Sequence, residues 1–259
     1  MRDMRLRDAR GNLFAATDPH IRAISAELNS SGFVHVPDAF TACDVDRVDS
    51  EVRAYLATHI GDTHESTAPG EWDCPTITAL STDPDLESIL AALAAGMHPP
   101  AAAVGYQTRS LRIYGEAQSQ RTNPYDWHYD ANVITMLIPL TIPDCGPGSL
   151  GHHATFPNHR PHRRYSCSDV IDKAMTQNRI RGRLTARRLA RDPEAHTIRF
   201  RAGDGYIFCG HRTLHRPMAW PGGQVRATLN LHYGYPYDKG HSTARTFHSV
   251  QRILHRVTA

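Results

Sequence analysis

Residues 226–233 constrain the fold more than any other feature of the sequence. Its side chains alternate strictly, with Arg226, Thr228, Asn230 and His232 on polar positions and Ala227, Leu229, Leu231 and Tyr233 between them. Because successive side chains of a β-strand point to opposite faces, the pattern predicts a strand with one polar and one apolar face. The chain is therefore expected to contain a sheet whose two faces differ in chemistry.

A histidine and a carboxylate stand two residues apart in the stretch 126–130, with the sequence DWHYD, just before the apolar run 133–140. If this stretch is extended, His128 and Asp130 project from the same face, within reach of one ion. Such a pair is by itself a weak indication of a metal site. A third ligand is needed.

The third ligand is expected after a turn and a short strand over 203–209, where His211 and His215 follow. His215 precedes Arg226 by eleven residues and His211 precedes it by fifteen. Either histidine completes a set of two imidazoles and one carboxylate around open coordination positions. That set is the facial triad of non-haem iron(II) oxygenases.

The ordered combination of these residues resembles the iron(II)- and 2-oxoglutarate-dependent dioxygenase superfamily over residues 111–233. The opening of the chain, with a helix, a strand, the sequence PDAF and a second helix, is also similar to phytanoyl-CoA-hydroxylase-like members. The resemblance implies a mainly β protein with flanking helices and a double-stranded β-helix core, which is a cupin-like jelly-roll. It also implies iron(II) as cofactor, with 2-oxoglutarate as co-substrate and dioxygen.

Within this resemblance, the metal ligands are His128, Asp130 and His215. The eleven-residue step from His215 to Arg226 is the one familiar from the superfamily, so His211 is expected beside the site or at the surface. The carboxylate at position 130 is also informative, because related halogenases carry a small residue there. The resemblance therefore implies hydroxylation, or a desaturation or ring closure, rather than halogenation.

Arg226 and Thr228 are implied to bind the far carboxylate of 2-oxoglutarate. A guanidinium meets a carboxylate with two parallel hydrogen bonds, and Thr228 lies on the same strand face. Tyr114 is a further candidate for that carboxylate, and equally an ordinary strand aromatic. The expected activity is oxidation of a C–H bond in a small polar metabolite, an amino acid or a biosynthetic intermediate, with release of succinate and CO2.

Two other functions stay open. The arginine-rich segment 179–201 suggests a nucleic-acid or protein demethylase of the same fold, or a clamp for an anionic substrate, although a solvated helix face explains it as well. Alkylation-damage demethylases carry a second arginine where this chain has His232, and a net charge of +3 does not by itself imply nucleic acid. The third possibility is a non-catalytic β-barrel binding protein with structural histidines.

The length of 259 residues fits one domain. We expect a helical N-terminal part over 1–103 packed on the sheet, a barrel core over 104–235 with a basic helical insert at 168–192, and a tail over 236–259. Helices are predicted at 18–29, 41–56 and 83–97, the last halted by Gly96 and Pro99-Pro100, with a loop at 60–82 and a histidine-rich loop at 152–162. Strands are predicted at 32–37, 104–114, 133–141, 196–201, 206–209 and 225–233.

The composition excludes several further classes of protein. Five scattered cysteines, never spaced as Cys-x-x-Cys, argue against a disulfide framework or a zinc ribbon. The longest apolar runs are too short to span a bilayer, and the first residues lack the apolar core of a signal peptide. A cytoplasmic location and a small-molecule partner are expected, while the sequence does not predict an oligomeric state.

Overall fold

The computed structural model of the chain describes residues 6–8, 12–59, 64–99, 105–116, 127–143, 153–162, 187, 196–218 and 223–236. The basic helix predicted over 168–192 lies outside these residues except for Arg187, and so does the predicted tail after residue 236. No helix in the described part of the chain combines the length and the apolar character that crossing a membrane requires.

Helices and strands follow one another with these bounds. The helices are α1 Pro19–Ser31, α2 Ala42–Thr58, α3 Pro75–Ser81 and α4 Pro84–Met97, with a 3-10 turn at Pro69–Glu71. The strands are β1 Phe33–Val36, β2 His64–Ser66, β3 Tyr106–Tyr114, β4 Ile134–Thr141, β5 His153–Phe156, β6 His196–Ile198, β7 Gly205–Cys209, β8 Leu214–Pro217 and β9 Arg226–Tyr233.

Local capping explains where the three predicted helices begin. The Asp18 side chain accepts a hydrogen bond from the second residue of α1, and Pro19 occupies the first helical position. Thr41 and Asp44 form a reciprocal capping box at the start of α2. Asp83 accepts hydrogen bonds from two backbone amides of α4. These contacts lie within a few residues of one another, and the predicted helix starts are confirmed.

The predicted loop over 60–82 is wrong in part, because it contains β2, the 3-10 turn and α3. The first residues of α3 have no side-chain cap of their own. Instead, the backbone amide of Thr76 donates to both carboxylate oxygens of Glu51 in α2, at 2.9 and 3.0 Å. The cap comes from 25 residues away, so no local pattern could reveal it.

Gly96 does not halt α4, which continues to Met97. A Cβ atom at position 96 would lie 2.0 Å from the Ser25 hydroxyl oxygen of α1. The glycine therefore lets α1 and α4 approach closely, and the helix ends at Met97, which is the predicted last residue.

Two antiparallel sheets form the β-rich part of the described structure. The larger has the strand order β1-β7-β4-β9-β3-β2 and the smaller the order β6-β5-β8. Leu137 and Phe208 of the large sheet pack against Ile198 of the small sheet, so the two sheets face each other. The predicted mainly β fold with flanking helices is confirmed, and its arrangement is that of a jelly-roll core.

The predicted alternation of β9 separates two environments. Its apolar side chains belong to the main core, together with residues of α1 and α4 such as Leu28 and Leu93. Burying each leucine side chain there contributes about 1.5–3 kcal/mol. Its polar side chains, of which Arg226, Thr228 and Asn230 are buried, lie on the opposite face, which looks towards the small sheet.

Candidate metal centre and its surroundings

His128, Asp130 and His215 come together in space. One ligand atom from each lies within 4.8 Å of the others. The Asp130 carboxylate lies 3.9 Å from Nε2 of His128 and 3.6 Å from Nε2 of His215. His211 is not part of this group. Among the residues that the structure describes, no other three histidine, cysteine or carboxylate side chains are arranged in this way.

Backbone hydrogen bonds hold the two segments that carry these side chains. His128 and His215 form an isolated β-bridge, with each amide donating to the other residue's carbonyl at 3.0 Å. The amide of Asp130 donates to the carbonyl of Gly210 at 3.1 Å. The extended arrangement considered for His128 and Asp130 is thus present as a single bridge to the start of β8, outside any continuous strand.

Hydrogen bonds orient two of the three side chains. Nδ1 of His215 lies 3.1 Å from the carbonyl oxygen of Thr213, so Nδ1–H donates there and Nε2 keeps its lone pair. The hydroxyl of Thr135 donates to Oδ2 of Asp130. Partners of this kind fix the tautomer and the direction of metal ligands.

The electrostatics of the group favour the forms that bind a cation. Burial alone raises the pKa of Asp130, but His215, His232, His128 and the Thr135 hydroxyl outweigh it, so the pKa lies below its ordinary value. Burial lowers the pKa of His215 to about 4. At neutral pH the carboxylate is thus ionised and the His215 imidazole is neutral, as metal ligation requires.

The three residues predicted for the co-substrate share one face of the large sheet. Tyr114 of β3 stands directly opposite Arg226 of β9, and Thr228 follows two residues later. Arg226 is 4% exposed, and burial lowers its pKa to about 10, so it remains a cation at neutral pH.

The small sheet supplies polar groups that sequence reasoning missed. Thr155 of β5 stands opposite His215 in β8, and the ring of His153 lies 6.1 Å from that of His215. The Thr155 hydroxyl, Nδ1 of His153 and Oδ1 of Asn230 are buried without a hydrogen-bond partner in the described part of the chain. Leaving such groups unpaired costs about 1–3 kcal/mol each, so a polar ligand is their expected partner.

A signal for β5 was present in the sequence. His153 and Thr155 alternate with Ala154 and Phe156, which is the period of a strand. The prediction of a histidine-rich loop over 152–162 is therefore wrong for the residues from His153 to Phe156.

Two further residues near the site are buried, and for His211 the surface alternative is therefore wrong. His211, expected beside the site or at the surface, is buried, and burial together with His162 lowers its pKa to about 3. Arg160 is also buried, and its Nε donates to the carbonyl of His211 at 2.6 Å. Most of the other arginines between residues 160 and 191 lie outside the described residues.

Comparison with known proteins identifies the fold. Neither a protein-family model nor a curated protein matches the sequence. Among solved structures, a prolyl-4-hydroxylase from Pseudomonas putida matches with a TM-score of 0.52 and 14% identity, covering 85% of this chain and 100% of that one. AviO1 from Streptomyces viridochromogenes Tue57 matches with a TM-score of 0.54 and 16% identity, covering 83% and 94%.

A third similar structure is the non-haem α-ketoglutarate-dependent epimerase SnoN from nogalamycin biosynthesis. It has a TM-score of 0.52 and 18% identity, over 84% of this chain and 82% of that one. SnoN is also known in complex with Fe3+, α-ketoglutarate and nogalamycin RO. At identities this low the similarity concerns the fold, and it confirms the fold that residues 111–233 led us to expect.

Proposed function

We propose that the protein is an iron(II)- and 2-oxoglutarate-dependent oxygenase. The observation that carries the proposal is the convergence of His128, Asp130 and His215. Arg226, a buried arginine, lies on the face of the large sheet that looks towards the small sheet. Two imidazoles and one carboxylate suit iron(II) and leave coordination positions open for other ligands. The fold, shared with solved oxygenases, is compatible with this use of the site.

The residues around the group suit a dicarboxylic co-substrate. The Arg226 guanidinium can bind a carboxylate through two charge-assisted hydrogen bonds, with further donors in Thr228 and Tyr114. Thr155 and His153 offer buried polar atoms from the opposite sheet, next to His215. We therefore assign the far carboxylate of 2-oxoglutarate to Arg226 and its keto-acid end to the metal.

Each side chain then has a defined task. His128 and His215 bind iron(II) through imidazole nitrogen and Asp130 through a carboxylate oxygen, while Thr135 and the Thr213 carbonyl hold two of these ligands in orientation. Iron(II) with 2-oxoglutarate and dioxygen supplies the oxidant that removes a hydrogen atom from the substrate. The protein's own contribution is to bind, orient and exclude competing reactions.

The substrate is proposed to be a small molecule, such as a polar metabolite, an amino acid or a biosynthetic intermediate. Hydroxylation is the simplest outcome, and desaturation or ring closure uses the same oxidant. An anionic substrate is a further part of the proposal. It rests on the arginine content of residues 160–191.

The direct test is conversion of 2-oxoglutarate to succinate. Protein loaded with iron(II) is incubated with 2-oxoglutarate, dioxygen and a panel of small polar metabolites, and succinate is quantified. We expect iron-dependent succinate in the wild type and none in Asp130→Ala, which lacks one metal ligand. Equal succinate from both proteins, or none from the metal-loaded wild type, would show that this site does not perform the reaction.

A further inference from the structure

Arg160, which follows β5, contacts the two segments of the chain that carry the proposed metal ligands. Its backbone amide donates to the carbonyl of Arg212 at 3.2 Å, and its Nε donates to the carbonyl of His211 at 2.6 Å. Its guanidinium carbon lies 3.9 Å from the centre of the Tyr129 ring. Arg160 thus contacts two separate segments of the chain.

Both of those segments carry metal-binding residues. Tyr129 lies between His128 and Asp130 in the sequence, and one face of its ring packs against the guanidinium of Arg160. His211 and Arg212 belong to the turn that leads into His215. Arg160 therefore links the segment carrying two of the ligands to the segment carrying the third, on a side of the Tyr129 ring, in addition to the His128–His215 bridge that joins them directly.

The neighbouring residue strengthens this connection. Nδ1 of His159 lies 2.6 Å from the hydroxyl of Tyr129, so the Tyr129 ring is held at its face and at its tip. Arg160 is only 6% exposed. A guanidinium is buried this deeply only when its donors are satisfied, which argues for a fixed geometry rather than for a surface contact.

We propose that Arg160 is a positioning residue that, together with the His128–His215 bridge, holds the His128–Asp130 segment in place relative to His215, and thereby raises the affinity for the metal. The proposal rests on the metal centre proposed above. Arg160 acts only through Tyr129 and the turn at 211–212, because it is not one of the three ligands.

The direction of the change in metal affinity after Arg160 is replaced distinguishes a positioning role from a purely electrostatic one. A cation near a divalent metal ion repels it, so removing the charge of Arg160 would by itself strengthen metal binding. Loss of positioning has the opposite effect, since residues that orient metal ligands typically alter metal affinity by about 10–100-fold. A weaker metal complex after loss of the positive charge is therefore diagnostic.

The experiment compares Arg160→Met and Arg160→Lys with a matched control. Arg109 has a similar arrangement elsewhere, with its guanidinium carbon 4.4 Å from the Tyr106 ring centre and its Nη1 donating to the Ser81 carbonyl at 3.2 Å. The dissociation constant of cobalt(II) and its visible spectrum are measured for each folded protein without co-substrate. Thermal unfolding of the metal-free proteins is recorded alongside.

We expect cobalt(II) to bind at least about tenfold more weakly to both Arg160 variants, with an altered spectrum. Arg109→Met should lower the unfolding temperature while leaving the cobalt(II) affinity and spectrum unchanged. If Arg160→Met does not fold, Arg160→Lys decides, because it keeps the charge and the aliphatic stem.

Three results would overturn the proposal. The first is wild-type or tighter cobalt(II) binding by the Arg160 variants, and the second is an equal loss of affinity in Arg109→Met. The third is a wild type that binds no cobalt(II), which overturns the metal centre itself and is thereby distinguished from failure of the positioning role alone.

Discussion

Replacing Thr155 by valine is expected to stabilise the protein and to weaken its binding of 2-oxoglutarate. The two side chains have nearly the same shape and both suit a strand. Thr155 is 1% exposed, and its hydroxyl has no hydrogen-bond partner in the described part of the chain. The substitution therefore removes a buried polar group that has no partner among the described residues.

The size of both effects follows from the cost of such a group. Burial of an unpaired hydroxyl costs about 1–3 kcal/mol, so the free energy of unfolding without ligand should rise by about 1 kcal/mol. If the hydroxyl instead donates to the co-substrate carboxylate, losing that charge-assisted bond costs about 1.5–3 kcal/mol of binding. The dissociation constant should then rise by about 10–100-fold.

Urea denaturation and calorimetric titration measure the two quantities. The titration uses 2-oxoglutarate with manganese(II) in place of iron(II), so that no turnover occurs. Thr197→Val is the matched control, because Thr197 lies exposed on the neighbouring strand β6. A lower unfolding free energy for Thr155→Val would show that the hydroxyl has a structural partner, and unchanged affinity would remove Thr155 from the binding site.

Three further predictions follow from the structure. His215→Ala should abolish iron-dependent turnover while His211→Ala keeps a measurable fraction, and the reverse ranking would exchange their roles. Burial holds the pKa of His211 at about 3 and of His215 at about 4, below the ordinary 6.5. The unfolded chain therefore binds more protons as the pH falls below about 6.5, and the metal-free protein should lose up to about 1.4 kcal/mol per pH unit for each histidine, by urea denaturation. The loss should be shallower in His211→Gln, and an unchanged slope would contradict this origin. Gly32→Ala should lower the unfolding free energy by about 1 kcal/mol or more, because Gly32 has a φ of +78° and a Cβ there would lie 2.7 Å from the Asn158 backbone nitrogen; an unchanged thermal midpoint would contradict it.

Features fixed by neighbouring residues could be predicted from the sequence. The starts of α1, α2 and α4 depend on Asp18, Thr41 and Asp83, which cap amides two or three residues away. The two faces of β9 follow from a strict alternation over eight residues. Such patterns determine local structure before any tertiary contact forms.

Features that depend on contacts between distant residues could not be predicted from the sequence. The start of α3 is held by Glu51 of another helix, and the role of Gly96 depends on Ser25 in α1. Arg160 looks like a solvent-exposed basic residue in the sequence, yet it is buried by contacts with Tyr129 and the turn before β8. In each case the partner lies too far along the chain to leave a local pattern.

The candidate site likewise has parts that the sequence predicted and parts that depend on distant contacts. The spacing of His128, Asp130 and His215 indicated a metal site, and the structure brings the three side chains together. Thr155 and His153 were missed because their strand is only four residues long and its pairing with β8 is a tertiary property. The position of Thr155 and His153 beside His215 therefore became apparent only in the structure.

The most direct test of the central claim is an anaerobic titration of the protein with iron(II) and 2-oxoglutarate, followed by visible absorption. When the keto acid binds iron(II) held by His128, Asp130 and His215, a weak metal-to-ligand charge-transfer band should appear and saturate, and Asp130→Ala should lack it. A metal-loaded wild type that shows no band would contradict the account.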